Sequence, residues 1–415
     1  MRIFDLRTSQ DDEDVKLSVS IDSERLGSTE LWFSTPAKYG DCLCKTRMDG
    51  FLVGMLFPAM QYGEDIHVSG CLSERLLFNL NNFVVPLLLA FSPSSKPIKI
   101  TADQTSSERF PGSGVGTGFS GGVDSFCTLY DQFELERRPE RRINSLLFLN
   151  VGSHGPGEQE EALNGARSKF LARYQYLKQF TDEIGLGFIR LDSNLHSFHP
   201  WGHLKTDTLT HAAGVLIVQG HFNRYYYASS GFSYNDQIKM GWRFPEVSVA
   251  DFCDPIISPL LATESLDFVL HGMQYSRSEK TLRVIDYEPV YRYLNVCVSG
   301  LELGAKNCSV CVKCCRTIMT LNSIGKLDGF SHIFDVEKYR RRAERRYVCE
   351  QMLLRNKDPF ARDNVALAER RGIKLPSPVV CEAYRLRGFV VRVLKAVLPR
   401  STIERIKLMM QQSGV

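Results

Sequence analysis

The hydrophobic pattern changes character near Gly114. Before it, Leu17–Ile21, Leu31–Phe33 and Ile98–Thr101 read as short strands. Ser73–Ala90 reads as a largely apolar helix with a break expected at Pro86, which lacks a backbone N–H. Pro93-Ser-Ser and Ser106–Gly116 carry the composition of a linker. From Gly114 onward, strands and helices alternate. Val115–Phe119 is a strand, Ser120–Asp124 a turn, and a helix starts at Ser125. A strand at Leu146–Val151 precedes a long helix from about Glu158 to Ile184, with Leu171, Tyr174, Leu177 and Phe180 on one face. Gly187–Asp192 and Tyr225–Ser229 are further strands, separated by a helix near Asp207–Phe222. This alternation predicts an α/β fold, a parallel sheet covered by helices on both faces. Ligands of such sheets bind beyond the carboxyl ends of the strands. That rule selects Gly118–Ser125, Asn150–His154, Asp192–His196 and Ser229–Gly231 as the rim of a site. The expected organisation is an N-terminal α+β region over 1–110, a sheet domain over 111–335 and a basic helical extension over 336–415.

Composition narrows the class. The 415 residues are 43% hydrophobic and 24% charged, as in globular proteins. There is no basic-then-apolar leader and no apolar run long enough to span a bilayer, so the expected setting is the cytoplasm. There, twelve cysteines are not expected to form disulfides, and four of them crowd into Cys308–Cys315. The net charge of +4 hides an asymmetry. From Val336 on there are 19 Lys and Arg against 8 Asp and Glu, while Met1–Asp335 carries 32 against 39. The basic run beginning at Lys338 reads as a solvated helix face, or as a contact for nucleic acid, an anionic membrane or an acidic protein.

The most informative stretch is Gly118-Phe-Ser-Gly-Gly-Val-Asp-Ser125. Ser120-Gly121-Gly122 permits a tight turn that exposes backbone N–H groups, and the helix that follows presents its positive end to an anion. Asp124 suits a Mg²⁺ ion bridging phosphate oxygens or a helix N-terminus, and the Ser120 and Ser125 hydroxyls can donate to phosphate. The ending Gly-Lys-Ser/Thr of a Walker A loop is absent. The string resembles the SGGxDS signature of PP-loop ATP pyrophosphatases, the class of GMP synthetase, asparagine synthetase, tRNA-thiolating enzymes and 7-cyano-7-deazaguanine synthase. The resemblance implies a Rossmann-like sheet of the adenine nucleotide alpha hydrolase type. It also implies cleavage of ATP between the α and β phosphates, with AMP passed to a substrate. ATP would lie on Ser120, Gly121, Gly122, Val123, Asp124, Ser125, Asn150 and Val151.

Cys308-Ser-Val-Cys311-Val-Lys-Cys314-Cys315 places three thiols on a compact turn, and a fourth would close a tetrahedral Zn²⁺ site with no open position. A redox pair that carries sulfur and an iron–sulfur cluster are the alternatives. Here the resemblance is to 7-cyano-7-deazaguanine synthase, the queuosine-pathway member of the class, whose zinc cysteines end in CxxCxxC. It assigns Cys308, Cys311 and Cys314 by position, and Cys297 across a gap longer than that family's. Cys315 is an extra thiol able to replace Cys314. Cys42, Cys44, Cys71, Cys127, Cys253, Cys349 and Cys381 are expected in core or surface positions.

Ser258-Pro-Leu-Leu and Ser276-Arg-Ser-Glu-Lys-Thr281 resemble that synthase's TPL-type and KxE-type segments, with Arg277 where lysine stands and Glu279 keeping the acid. The resemblance makes Arg277 or Lys280 a cation for charge on the α-phosphate. The plain alternative is a helix-start pair of Arg277 with Glu279. Asn150-Val-Gly-Ser-His154 and Ala228–Asp236 depart from the synthase's substrate motifs, so the resemblance speaks to the chemistry over about residues 115–320. His196, His199, His203 and His211 have no metal-site spacing and read as ordinary polar or core histidines. The expectation is an AMP-forming, carbon–nitrogen ligase-type enzyme using ATP, Mg²⁺ and Zn²⁺ on a small-molecule substrate, with a homodimer as a candidate assembly. A tRNA-modifying enzyme and a non-catalytic nucleotide-binding module are the rival readings.

Overall fold

The computed structural model describes residues 1–11, 13–152, 160–229, 231–240, 254–297 and 307–397. His154, Ser230 and Cys253 lie outside the described residues, as does the end of the basic extension. The chain forms two compact units, Met1–Asn307 and Cys308–Val415.

The first unit is built on one ten-stranded, mostly parallel sheet in the order β10-β9-β6-β7-β8-β3-β2-β1-β4-β5. Its first hundred residues supply β1 (Arg2–Gln10), β2 (Asp14–Ser23) and β3 (Gly27–Pro36), an antiparallel meander. Helix α1 (Asp49–Tyr62) leads to β4 (Ile66–Ser73), which lies parallel to β1. Then come α2 (Glu74–Asn79), α3 (Val85–Phe91) and β5 (Ile100–Ser106).

Two expectations need correction. The helix expected over Ser73–Ala90 begins one residue later, because the Ser73 side chain accepts from Leu76 N and caps it. It is not broken at Pro86. A π-helical turn, Leu80–Val84, widens the backbone just before the proline, which then sits at the first turn of α3 where no N–H is needed. The segment Ser106–Gly116 is not wholly linker, since β5 ends in it and the next strand begins in it.

The remaining strands follow the alternating pattern: β6 (Gly114–Gly118), α4 (Val123–Leu129), β7 (Ser145–Leu149), α5 (Glu160–Glu183) and β8 (Gly187–Ser193). Helix α6 (His203–Ile217), β9 (Phe222–Ala228), α7 (Tyr234–Met240), α8 (Asp254–Leu260) and β10 (Asp267–His271) come next. Short helices α9 (Arg277–Val284) and α10 (Glu288–Tyr293) complete the unit. Strands β6 to β10 pair in parallel.

The junction of the two halves is β3 against β8, with only two backbone pairs, Phe33 with Ser193 and Ser34 with Asp192. The Asn194 side chain prolongs it, accepting from Trp32 N at 2.9 Å and donating to Glu30 O at 2.8 Å. Beneath the sheet, α1 packs on α6 in a core that includes Phe51, Met55, Leu56 and Leu216.

The second unit is helical: α11 (Val312–Ser323), α12 (Val336–Arg342), α13 (Glu344–Leu354), α14 (Pro359–Arg370) and α15 (Pro378–Val397). Asp335 caps α12 and Asp358 caps α14, each accepting backbone N–H groups in the first turn. No helix of the described residues is long and apolar enough to cross a membrane.

Candidate nucleotide site and cysteine cluster

In the first unit, β6 has β7 on one side and β9 on the other, so the chain reverses its direction of growth there. Crevices at such points receive ligands in α/β sheets. Gly118 ends β6, and Ser120, Gly121 and Gly122 turn the chain into α4. Gly121 adopts φ +72°, and a Cβ there would lie 2.7 Å from Leu177 Cδ2, so the position demands glycine on two counts. Its carbonyl accepts from Asn295 N at 2.7 Å. Buried Arg173 holds Asn295 in turn, donating to its Oδ1 at 2.8 Å and its O at 3.1 Å. Ser125 Oγ donates to Gly122 O at 3.0 Å, while Ser120 is exposed. Val123 is core, so only its backbone faces the loop.

Asp124, in the first turn of α4, faces the first turn of α9. Arg277 hydrogen-bonds its Oδ2, and Lys280 Nζ lies 3.1 Å from its Oδ1. Lys280 also donates to Ser229 O at 2.6 Å and Ser229 Oγ at 2.8 Å. Gly272, at φ +93°, makes room for this side chain, since a Cβ there would sit 3.2 Å from Lys280 Cε. Burial pushes the Asp124 carboxyl up, but the charges of Arg277 and Lys280 outweigh it and hold the group well below the carboxylate range. Glu279 does not pair with Arg277. Its carboxylate accepts from Ser276 N at 2.7 Å while Ser276 Oγ accepts from Glu279 N, a capping box that sets the start of α9. A second network behind α4 joins Asp131 to Arg283 Nε at 2.8 Å and to His271 Nε2 at 3.4 Å.

The other rim segments are placed as follows. Asn150 Nδ2 donates to Asp192 Oδ1 at 2.7 Å, and Arg167 Nε is 2.8 Å from Asp192 Oδ2. Val151 is buried. His199 Nε2 meets Gly54 O at 2.8 Å, and His211 Nε2 meets Tyr225 OH at 2.7 Å. Burial lowers both histidines, to about 4 and about 3. Ser258 lies buried in α8. Arg173, Asn295, Asp131 and His271 escaped the sequence reading. They carry no motif, and only folding brings Arg173 and Asn295 to the loop and Asp131 and His271 together behind α4.

Asp124 is a poor free-standing Mg²⁺ site, because both its oxygens are already matched by cations. A Mg²⁺ ion there would depend on oxygens brought by phosphate.

At the start of the second unit, Cys311 immediately precedes α11. Cys314 Sγ lies 3.8 Å from Cys308 Sγ and 3.4 Å from Cys311 Sγ. With Cys297, the four sulfur atoms all lie within 4.8 Å of one another, a set that can hold a metal ion such as zinc. Tetrahedral Zn²⁺ with bonds of about 2.3 Å sets its sulfurs roughly 3.8 Å apart, so the donors fit. The Asn307 side chain shapes the approach of Cys297, accepting from Val296 N at 2.8 Å and Cys297 N at 3.1 Å. Cys315 lies outside the set; burial pushes its thiol up to about 12, which keeps it neutral.

Comparison of the chain with family models gave no match, and neither curated proteins nor solved structures gave a significant one.

Proposed function

We propose that the first unit is an ATP pyrophosphatase of the PP-loop class, which transfers AMP to a substrate oxygen and releases pyrophosphate. The observation that carries the reading is the meeting of Asp124 with Arg277 and Lys280 beside the Ser120–Gly122 turn. An aspartate and two cations more than 150 residues further along the chain converge at the strand ends where an anion is best received. Arg277 and Lys280 supply positive charge for a triphosphate, and Asp124 holds them in place. The Gly121 turn offers backbone N–H groups to phosphate oxygens. Mg²⁺, when present, would neutralise charge between the phosphates.

In this reading a substrate carboxylate or carbonyl oxygen attacks the α-phosphorus, and a nitrogen nucleophile then displaces AMP. Catalysis rests on positioning and charge neutralisation. The Rossmann-like subtype and the likeness to 7-cyano-7-deazaguanine synthase belong to the same proposal. A structural zinc on Cys297, Cys308, Cys311 and Cys314 completes it, holding the fold rather than reacting.

A second reading, a nucleotide-binding module without catalysis, draws on the saturation of Asp124 by two cations. One assay separates them. Full-length protein with ATP, Mg²⁺ and a panel of carboxylates is expected to release AMP and pyrophosphate in equal amounts. ADP and phosphate would overturn the class, and nucleotide binding without turnover would favour the module.

A further inference from the structure

Helix α15 has two apolar faces, and among the described residues of the second unit only one of them is packed. On the inner face, Cys381 is buried with Cys349 and Met352 of α13 and Val365 of α14. Tyr384 sits half-buried on the same side, with the Arg345 guanidinium 4.9 Å from its ring. On the opposite side, Val379, Leu386 and Val393 recur every seven residues, with Phe389 and Val390 between them. Residues so spaced share one face of a helix. All five are exposed, Val379 by 78%, Leu386 by 59% and Phe389 by 58%. Proteins that work as free monomers seldom leave such a stripe in water.

The borders of the stripe decide its partner. Arg385 and Arg387 flank Leu386 in the sequence and are both exposed, so at 100° per residue they edge the stripe on its two sides. Among the described residues Arg385 pairs with Glu382 at 2.8 Å; this half-buried carboxylate lies seven residues before Phe389 on the same side of the helix, so it enters the stripe as an ion pair rather than a free charge. The chain from Val336 on carries 19 basic against 8 acidic residues. A second copy packed stripe to stripe would set these arginines against their own kind, which disfavours self-association. Anionic headgroups answer them, with the arginine stems lying along the apolar edge and the guanidiniums reaching phosphate.

We propose that α15 lies flat on a bilayer rich in anionic lipid, with Val379, Leu386, Phe389, Val390 and Val393 in the acyl boundary. The helix rests on the surface rather than crossing it, in keeping with the absence of a spanning helix among the described residues. The chemistry of the sheet unit plays no part in this inference.

Sedimentation of the full chain with vesicles tests it. Binding is expected to vesicles of phosphatidylcholine with phosphatidylglycerol, weakly or not at all to phosphatidylcholine alone, and to decline with salt. The Leu386→Glu/Phe389→Glu variant should bind at least about tenfold more weakly. Arg385→Gln/Arg387→Gln should lose the preference for anionic lipid. These side chains are exposed, so unchanged melting serves as the folding control. Failure to sediment with either vesicle would overturn the proposal, as would binding that survives Leu386→Glu/Phe389→Glu. A dimer abolished by that variant would assign the stripe to a second copy instead. A salt-sensitive RNA complex without vesicle binding would assign the basic charge to nucleic acid.

Discussion

Lys280 reaches Asp124 across 156 positions of sequence, with its Nζ 3.1 Å from Oδ1 and its side chain 1% exposed. The pairing follows from a local device. The Ser276–Glu279 capping box fixes the first turn of α9, which puts Arg277 and Lys280 three residues apart on one helix face, both toward α4. Because the ammonium is buried, its partner is structural as well as chemical. Asp124→Ala should therefore destabilise the protein by about 3 kcal/mol, the cost of leaving a buried charge without its counter-ion. Asp124→Asn, which keeps shape and a hydrogen bond, should cost less and is the better probe of chemistry. Urea unfolding measures the first effect. AMP release measures the second, with a loss on the order of 10²–10³ expected.

The same pair sets an acid limit. Burial raises the Asp124 carboxyl, and the two cations more than reverse this, so its folded value lies below the roughly 3.9 of an unfolded aspartate. The stabilisation is fully present above that unfolded value and is lost as pH falls through the lower folded one. Acid unfolding should thus start at higher pH in Arg277→Gln than in the wild type, as followed by circular dichroism.

Much of the sheet was legible because its parallel strands are short apolar runs separated by turns and long helices. The loop before α4 was legible because glycine and serine at those spacings have few other uses. The first hundred residues were harder. Helix α1 is buried on nearly every side, so Phe51, Val53, Met55 and Met60 show no amphipathic period from which to recognise it. Strand β1 exposes most of its residues at the surface, and a strand with little apolar alternation leaves no trace. At the site, the cations of α9 were legible, but their anchor was not. Glu279 looks like a partner for Arg277 in sequence, and only the geometry reveals that it caps the helix instead.

Gly121 offers a sharp test of the turn. Its φ of +72° costs a non-glycine residue about 1–2 kcal/mol, and the added Cβ would also press on Leu177. Gly121→Ala should lower thermal stability and weaken nucleotide binding more than Gly122→Ala, whose nearest neighbour is Ser120 Oγ at 3.4 Å. Equal effects in calorimetric titration would place the critical turn elsewhere.

Buried His199 and half-buried His211 predict a second pH dependence. His199 and His211 are held neutral by burial, at about 4 and about 3, against roughly 6.5 when unfolded. Between those values the unfolded chain binds more protons, so stability rises with pH and falls on acidification below 6.5. Each group should contribute about 1 kcal/mol of loss between pH 6.5 and 5.5. His211→Gln should be less stable at pH 7, where it loses the Tyr225 contact, yet have a flatter profile toward pH 5. A variant with the wild-type slope would show that His211 is not buried neutral.

The cysteine set separates a structural metal from a sulfur carrier. Four sulfurs within 4.8 Å of one another suit a tetrahedral ion, and Cys315, neutral and apart, is the internal control. Protein purified under reducing conditions should carry about one Zn²⁺ per chain, with X-ray absorption giving Zn–S distances near 2.3 Å. Cys311→Ser should lower both zinc content and melting temperature, since binding to deprotonated thiols is coupled to folding. Cys315→Ser should change neither beyond a small packing effect. Chelation should act like Cys311→Ser and be reversed by added zinc. The decisive comparison is between the metal-free and loaded forms of the same protein. If the metal-free form melts at the same temperature and contains a disulfide among Cys308, Cys311 and Cys314, thiol exchange accounts for the cluster. If it melts lower and regains stability with zinc alone, the four thiolates are a structural clasp.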